Sequence, residues 1–275
     1  MARGCRYSTH PSLPACLVIA FGLLALGFSC RSAARFEAMP VSPEGSWLYV
    51  AHCAACHGRT GSGDGPAAIA LEVRPRDFRN EPFRYISTLD GVPTYEDLIQ
   101  TIRSGRHFGA MPARPSLTDA DVNALADYVR EINRLGWVES LTREFADDED
   151  MTPEEIEEIA LERVTPGAPI AIPCRPPGFR SDTEVGRKLY LASCASCHGP
   201  SGRGDALDKP KDERGQPIAV RDLTSGAFRG GVEAAEIFKR IRCGVPGTPM
   251  PAQEGLSDEE VWQLVYYTRF LAGWR

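Results

Sequence analysis

The chain of 275 residues contains one sequence block twice, and this duplication is the strongest constraint on its architecture. Residues 45–58 align without a gap with residues 186–199 at an offset of 141, and both copies contain Cys-x-x-Cys-His. Matches continue in the same order at offsets between 139 and 145, and they include Arg76 with Arg221, Phe83 with Phe228, Met111 with Met250, and Tyr128 with Tyr267. Because surface loops tolerate small changes in length, the sequence predicts two copies of one domain.

Apolar residues within each copy recur at helical spacing. The predicted helices are 45–54, 96–103 and 118–135 in the first copy, and 185–195, 234–242 and 257–271 in the second. The apolar faces of the two last helices are Val122, Leu125, Val129 and Ile132, and Val261, Leu264, Val265 and Phe270. Thr118 and Ser257 precede acidic first turns and suit the N-cap position. No stretch alternates like a strand for long, so the predicted fold class is all-α.

Composition divides the chain into four segments. The predicted boundaries are an export segment at 1–34, the first domain at 35–137, a linker at 138–178 and the second domain at 179–275. The linker contains ten acidic residues and no Lys or Arg between 144 and 162, and a proline-rich stretch follows. These features predict a semi-rigid connector with a solvated acidic face and a short helix from Thr152. The sequence has no clustered basic face of the kind that nucleic-acid binding requires.

The N-terminus has the pattern of an export segment. An uncharged run at 15–30 follows Arg3 and Arg6, and such a run is shorter than the roughly 20 apolar residues of a membrane-spanning helix. Three outcomes stay open: lipidation at Cys30, cleavage after Ala34, or an uncleaved membrane tether. All three predict that the rest of the chain lies on the periplasmic side of the cytoplasmic membrane, either soluble or attached to it.

Cys-x-x-Cys-His is the attachment motif for c-type haem. Four thiols are expected to form thioethers with haem vinyl groups: Cys53, Cys56, Cys194 and Cys197. His57 and His198 would each place an imidazole on the iron. A zinc site rarely has His directly after each cysteine pair, and a thioredoxin-like pair would need a βαβ context. The sequence therefore predicts two covalently bound haems c.

Each copy also contains one Met inside a Gly/Pro-rich loop. Met111 and Met250 lie 54 and 52 residues after the histidines of their motifs. A thioether opposite His raises the reduction potential of haem iron, and such a loop is an unusual place for a Met that only fills a core. Met111 and Met250 are therefore the predicted second axial ligands. His107 is an alternative to Met111, although the second copy has Pro246 at that position.

Each copy resembles a class I (mitochondrial-type) cytochrome c domain, over about 43–137 and 181–274. In that family a first helix leads into the haem motif, a last helix crosses it at a Gly/aromatic contact, and a loop returns the Met ligand. The positions that match this crossing are Gly45, Tyr49, Leu125 and Tyr128, and Gly186, Tyr190, Leu264 and Tyr267. The whole chain resembles exported di-haem cytochromes that serve as electron-transfer subunits.

The resemblance also implies a role for the recurring arginines. Arg76 and Arg221 would hold haem propionates, for which a bidentate guanidinium is well suited. The alternative is that both are ordinary surface residues. Phe83 and Phe228 are expected in the walls of the haem pockets.

Two cysteines remain outside the motifs and the export segment. In an oxidising compartment, Cys174 and Cys243 favour a disulfide that ties the linker to the Met loop of the second domain. The alternative is two free thiols.

The predicted function is electron transfer through two haems, with one domain accepting an electron from a donor protein and the other passing it to an acceptor protein. The alternative is a di-haem oxidoreductase such as a peroxidase. Peroxidase chemistry needs an iron with an open or displaceable sixth position, and a Met available for each iron argues against it. An electron carrier is therefore favoured over an enzyme.

Overall fold

The computed structural model describes residues 43–106, 110–175, 180–206 and 210–274. These residues form helices and loops, with one isolated antiparallel bridge between Lys211 and Pro217. The prediction of an all-α fold is confirmed for them. No helix in these ranges combines the length and the apolar character needed to cross a membrane. The export segment and His107 lie outside the described residues.

The helices follow the same order in the two halves of the chain. The first half contains α1 (Pro43–His52), α2 (Ala54–His57), α3 (Tyr95–Ser104) and α4 (Asp119–Glu144). Helix α5 (Pro153–Arg163) follows in the connector. The second half contains α6 (Thr183–Ser193), α7 (Ala195–His198), α8 (Ala234–Cys243) and α9 (Asp258–Leu271). Short 3₁₀ turns occupy Ala68–Ala70 and Leu223–Ser225.

Both last helices begin at the predicted N-caps. Thr118 accepts a hydrogen bond from the backbone N–H of Asp121, and the Asp121 carboxylate accepts one from the backbone of Thr118. Ser257 and Glu260 form the same reciprocal pair. Each such cap satisfies otherwise unpaired N–H groups and contributes roughly 0.5–2 kcal/mol.

The first and last helices of each half cross at a glycine. A Cβ atom on Gly45 would lie 2.5 Å from the carbonyl oxygen of Ala124, and one on Gly186 would lie 2.7 Å from the Cβ of Tyr267. Beside this contact the rings of Tyr190 and Tyr267 have centroids 5.3 Å apart, and the equivalent pair in the first half is 5.1 Å apart. The Gly/aromatic crossing expected from the family resemblance is present in both halves.

The inner faces of these helices form a separate buried cluster in each half. The predicted apolar positions Val122, Leu125, Val129 and Ile132 of α4 are buried, as are Val261, Leu264 and Val265 of α9. Phe270 is an exception, because 56% of it is exposed. Phe270 follows Val261 by nine residues, which places its side chain about half a turn of the helix away from the buried face.

The connector contains more packed structure than its acidic sequence indicates. Helix α4 continues to Glu144 rather than ending near 135, and α5 packs against this extension. Leu141, Ile156 and Ala160 form a small buried cluster between the two helices. The acidic residues of α5 lie mostly on its exposed face. The composition of this segment therefore does not reveal the few apolar residues on its buried face.

The predicted disulfide between Cys174 and Cys243 is wrong, because Cys243 is a free thiol at the buried end of α8. The connector is instead joined to the first half by hydrogen bonds. The backbone N–H of Gly167 donates to the Asp90 carboxylate at 2.5 Å, and that of Ile170 donates to the carbonyl oxygen of Ser87 at 2.7 Å.

We expect the substitution Gly186→Val to destabilise the haem-loaded protein by about 1–3 kcal/mol, the usual cost of overpacking. The added Cβ would meet both Tyr267 and the carbonyl of Gln263, whereas the helix propensities of Gly and Val differ by only a few tenths of a kcal/mol. Denaturant unfolding followed by circular dichroism measures the change.

The matched control is Gly255→Ala, since a Cβ at Gly255 has no other heavy atom within 4 Å. This variant should stay within about 0.5 kcal/mol of the parent protein. Equal stabilities for the two variants would contradict the close crossing.

Candidate haem-binding sites

The two Cys-x-x-Cys-His motifs lie at a bend where a long helix passes into a short one. Helix α1 ends at His52 and α2 begins at Ala54, and the intervening Cys53 has φ −123° and ψ −39°. The N–H of His57 donates to the carbonyl oxygen of Cys53 at 2.9 Å, which keeps cysteine and histidine on one turn. Cys194 has nearly the same geometry in the second half.

A backbone carbonyl orients the imidazole of each motif. Nδ1 of His57 lies 3.1 Å from the carbonyl oxygen of Arg76, and Nδ1 of His198 lies 3.1 Å from that of Arg221. A carbonyl can only accept, so Nδ1 carries the proton and Nε2 keeps its lone pair for a metal. Burial lowers the pKa of both histidines, which favours this neutral form.

A buried tyrosine holds the end of each motif. The hydroxyl of Tyr49 donates to the carbonyl oxygen of Gly58 at 2.9 Å, and that of Tyr190 donates to Gly199 at 2.7 Å. Burial raises the pKa of both phenols, so they stay protonated donors. The sequence identified these tyrosines only as helix-crossing residues. The sequence feature that marks the acceptor of this hydrogen bond is the glycine that directly follows the motif in both copies.

Each predicted Met ligand follows a helix that ends at a glycine with positive φ. Gly105 (φ 59°) ends α3 and Gly244 (φ 67°) ends α8. A Cβ on Gly244 would lie 2.6 Å from the carbonyl oxygen of Met250, so the Met loop packs directly on the helix end. The N–H of Val245 then donates to that same oxygen at 3.0 Å. The first half has the equivalent hydrogen bond to Met111 at 2.8 Å.

A cavity of about 1070 Å³, lined by the second half and by loop residues of the first, brings the predicted site residues of the second half together. Small-molecule sites usually measure about 300–1,000 Å³, so this volume suits a large ring. Its wall includes the predicted attachment and ligand residues Cys194, Cys197, His198 and Met250. Apolar wall residues are Phe228, Ile237, Ile241 and Leu264, and Phe228 is where it was expected.

The donor set of both halves fits a covalently bound haem. Burial raises the pKa of Cys53 and of Cys194 to about 11, which places both sulfur atoms in surroundings poor in water, where an apolar haem edge fits. In the first half the ring of Phe78 stacks on that of His57 with centroids 4.3 Å apart. Phe83 stacks in turn on Phe78 at 5.7 Å. These rings supply the apolar contact surface that a porphyrin requires.

The family model described as cytochrome c oxidase, cbb3-type, subunit III matches residues 42–129 and 181–267. The chain belongs to this family. The two matched ranges coincide with the two halves and with both haem motifs. The di-haem cytochrome c architecture and the prediction of two covalently attached haems c are thereby confirmed.

Two relatives agree with this assignment. The cbb3-type cytochrome c oxidase subunit FixP of Azorhizobium caulinodans is 26% identical over 235 residues, which are 84% of this chain. The chain spans only 59% of FixP. A chain of the reducing HAO-like protein complex of Kuenenia stuttgartiensis has 28% identity and a TM-score of 0.70, covering 84% of this chain and 97% of its own. These matches favour electron transfer over the peroxidase alternative.

The two recurring arginines of this cytochrome differ in their surroundings. Their backbone carbonyls orient the histidines, a contact that sequence reasoning missed because the backbone carries no residue-type signal. The Arg76 guanidinium forms ion pairs with Glu81, at 3.1 Å, and with Glu213. The Arg221 side chain lines the cavity of the second half.

We expect Met250→Ala to abolish one of two sulfur-to-iron charge-transfer bands in the oxidised spectrum and to lower the potential of one haem. The reason is that loss of the thioether removes the ligand that stabilises the reduced iron. Optical spectroscopy and potentiometric titration of the purified cytochrome measure both effects. Met111→Ala should produce the same changes at the other haem.

Met151 provides the matched control, since it packs in the connector cluster far along the chain from either motif. Met151→Ala should leave both bands in place. An unchanged spectrum in Met111→Ala would transfer that assignment to His107.

Proposed function

We propose that this cytochrome is an electron-transfer subunit that relays electrons between a donor and an acceptor redox protein on the periplasmic side of the cytoplasmic membrane. The observation that carries the proposal is the presence of the same Cys, His and Met set in two halves that contact each other directly. Each bound haem supplies a one-electron iron couple. The chain's own residues hold the two couples in place and exclude water from them.

The proposed roles follow the repeat. The four motif cysteines, Cys53, Cys56, Cys194 and Cys197, attach the two haems. His57 and His198 are the proximal iron ligands, and their carbonyl partners fix the ring orientation. Met111 and Met250 are the distal ligands. Domains at 35–137 and 179–275 each hold one haem, and the connector at 138–178 sets their spacing.

Ion pairs between the two halves support a fixed relay. Arg214 of the second half forms an ion pair with Glu81 of the first, and its Nη2 donates to the carbonyl oxygen of Pro75 at 3.1 Å. Arg76 forms the reverse pair with Glu213. Electron tunnelling falls steeply with separation, so contacts that keep the halves together keep transfer between their sites fast.

Membership in a larger redox complex is the proposed cellular context. FixP is named as a subunit of a cbb3-type oxidase, and the Kuenenia chain is part of a reducing HAO-like complex. Both names support a subunit that exchanges electrons with partner proteins. The export pattern at 1–34 supports a periplasmic position, with attachment through lipidated Cys30, through an uncleaved segment, or with release after Ala34.

We expect Arg214→Gln to slow electron transfer between the two haems several-fold while leaving both haem spectra intact. The substitution removes one of the charged links between the halves but touches no predicted iron ligand. Photochemical reduction of one haem followed by time-resolved absorption measures the rate of equilibration with the other. Small-angle scattering on the same samples should show a broader distribution of sizes.

Arg134→Gln is the matched control. Arg134 forms ion pairs with Glu131 and Glu157, which lie on α4 and α5 and do not join the two haem-binding halves. The rate of electron transfer between the two haems in Arg134→Gln should equal that of the parent protein. If neither substitution changes the rate, the contacts between the halves do not govern the relay. A high-spin haem that reacts with peroxide in the parent protein would instead favour the oxidoreductase alternative.

A further inference from the structure

The wall of the large cavity contains arginines that lack a carboxylate partner. Arg221 and Arg229 both line it. Among the described residues, neither guanidinium has a hydrogen bond to another side chain or an ion pair within 4.0 Å. The Nε atom of Arg229 is buried without any hydrogen-bond partner there. Both arginines are half-buried, and a cation that is partly removed from water without a counter-charge is costly, so these two groups point to an anionic ligand.

The two unpaired cations share the wall of one cavity. Two like charges at one apolar wall repel each other, and an anion between them would relieve that repulsion. Arg221 and Arg229 thus mark a site for negative charge.

A third arginine reaches the same wall from the other half of the molecule. Arg84 lines the cavity, and its Nε is likewise buried without a partner. Its Nη2 lies 3.6 Å from Asp212 and 3.5 Å from Glu213, so Nη2 has counter-charges whereas Nε has no partner. Arg84 is the repeat equivalent of Arg229.

The backbones of Arg84 and Arg229 are anchored reciprocally across the junction. Arg240 of the second half donates to the carbonyl oxygen of Arg84 at 2.9 Å. Arg106 of the first half donates to that of Arg229 at 3.5 Å. Both of these anchoring arginines lie over the ring of Tyr85. The positions of the two guanidiniums therefore depend on the contact between the halves.

We propose that Arg84 and Arg229 join Arg221, whose role the family resemblance already implies, in a carboxylate-binding cluster for the haem of the second half, with Arg84 supplied by the first half. The inference rests on the proposed function. Haem carries two propionate carboxylates, and planar guanidinium groups bind carboxylates through paired hydrogen bonds. A free carboxylate or phosphate anion from solution has the same chemistry, and the experiment separates the two sources.

The cluster has an electrochemical consequence. A cation beside a haem carboxylate offsets its negative charge, which would otherwise favour the oxidised and more positive iron. Removing Arg84 or Arg229 should therefore lower the reduction potential of the haem in the second half. The haem in the first half should keep its potential, even though Arg84 belongs to that half of the chain.

The test uses the full-length, haem-loaded protein and the variants Arg229→Gln and Arg84→Gln. Potentiometric titration gives both potentials, and comparison with Met250→Ala assigns the haem of the second half. Resonance Raman spectroscopy reports the propionate bending band, which responds to hydrogen bonds at the carboxylates. Both variants should lower the potential of that haem and shift that band.

Arg269→Gln is the matched control. Arg269 is half-buried in the same half, does not line the cavity, and donates to the carbonyl oxygen of Val232 at 3.3 Å. It should change neither readout. If Arg84→Gln does not mature, Arg84→Lys replaces it. Lysine keeps the positive charge but lacks the paired N–H donors of the guanidinium. This variant should shift the Raman band and change the potential less than Arg84→Gln does.

Two results would overturn the assignment. The first is an unchanged Raman band and potential in Arg229→Gln. The second combines two observations: the potential of this haem in the parent protein changes with added acetate at constant ionic strength, and the propionate band is the same in every variant. This result would make the cluster a site for free anions. These readouts need only bound haem, so they stay interpretable even if the two haems exchange electrons too slowly for a relay.

Discussion

The hydrogen bond between each motif histidine and a loop carbonyl is the contact on which the rest of both sites depends. It requires the loop that contains Arg76 or Arg221 to approach the motif closely. Glycine makes this possible: a Cβ on Gly63 would lie 2.5 Å from the carbonyl oxygen of Pro75, and one on Gly204 would lie 2.4 Å from that of Val220. With the imidazole oriented, the tyrosine hydroxyl holds the end of each motif, and the Met loop packs on the end of the helix before it.

Much of this could be predicted from the sequence, because the relevant signals are local. The Cys-x-x-Cys-His motif predicts the attachment residues, the capping residues Thr118 and Ser257 mark helix starts, and the duplication predicts Met111 and Met250 as iron ligands. The carbonyl partners of the histidines could not be predicted, since every residue has a carbonyl and only the fold selects one. The same applies to Cys243, whose thiol stays free inside the end of α8.

The junction between the halves includes a small insertion that is present only in the second copy. The repeat offset rises from 141 at Asp64 to 145 at Arg76, so the second copy contains four additional residues in this loop. That longer loop supplies Asp212, Glu213 and Arg214, which form ion pairs with arginines and a glutamate of the first half. Among the described residues, the ion pairs between the halves thus lie in a loop whose length differs between the two copies.

Each half of the chain should bind one haem covalently through its own cysteine pair. Mass spectrometry of the mature protein under denaturing conditions tests it directly. We expect a polypeptide heavier by two haems, with each haem on a peptide that contains one of the two motifs. A mass increase of one haem, or haem that acid acetone extracts from the protein, would contradict it.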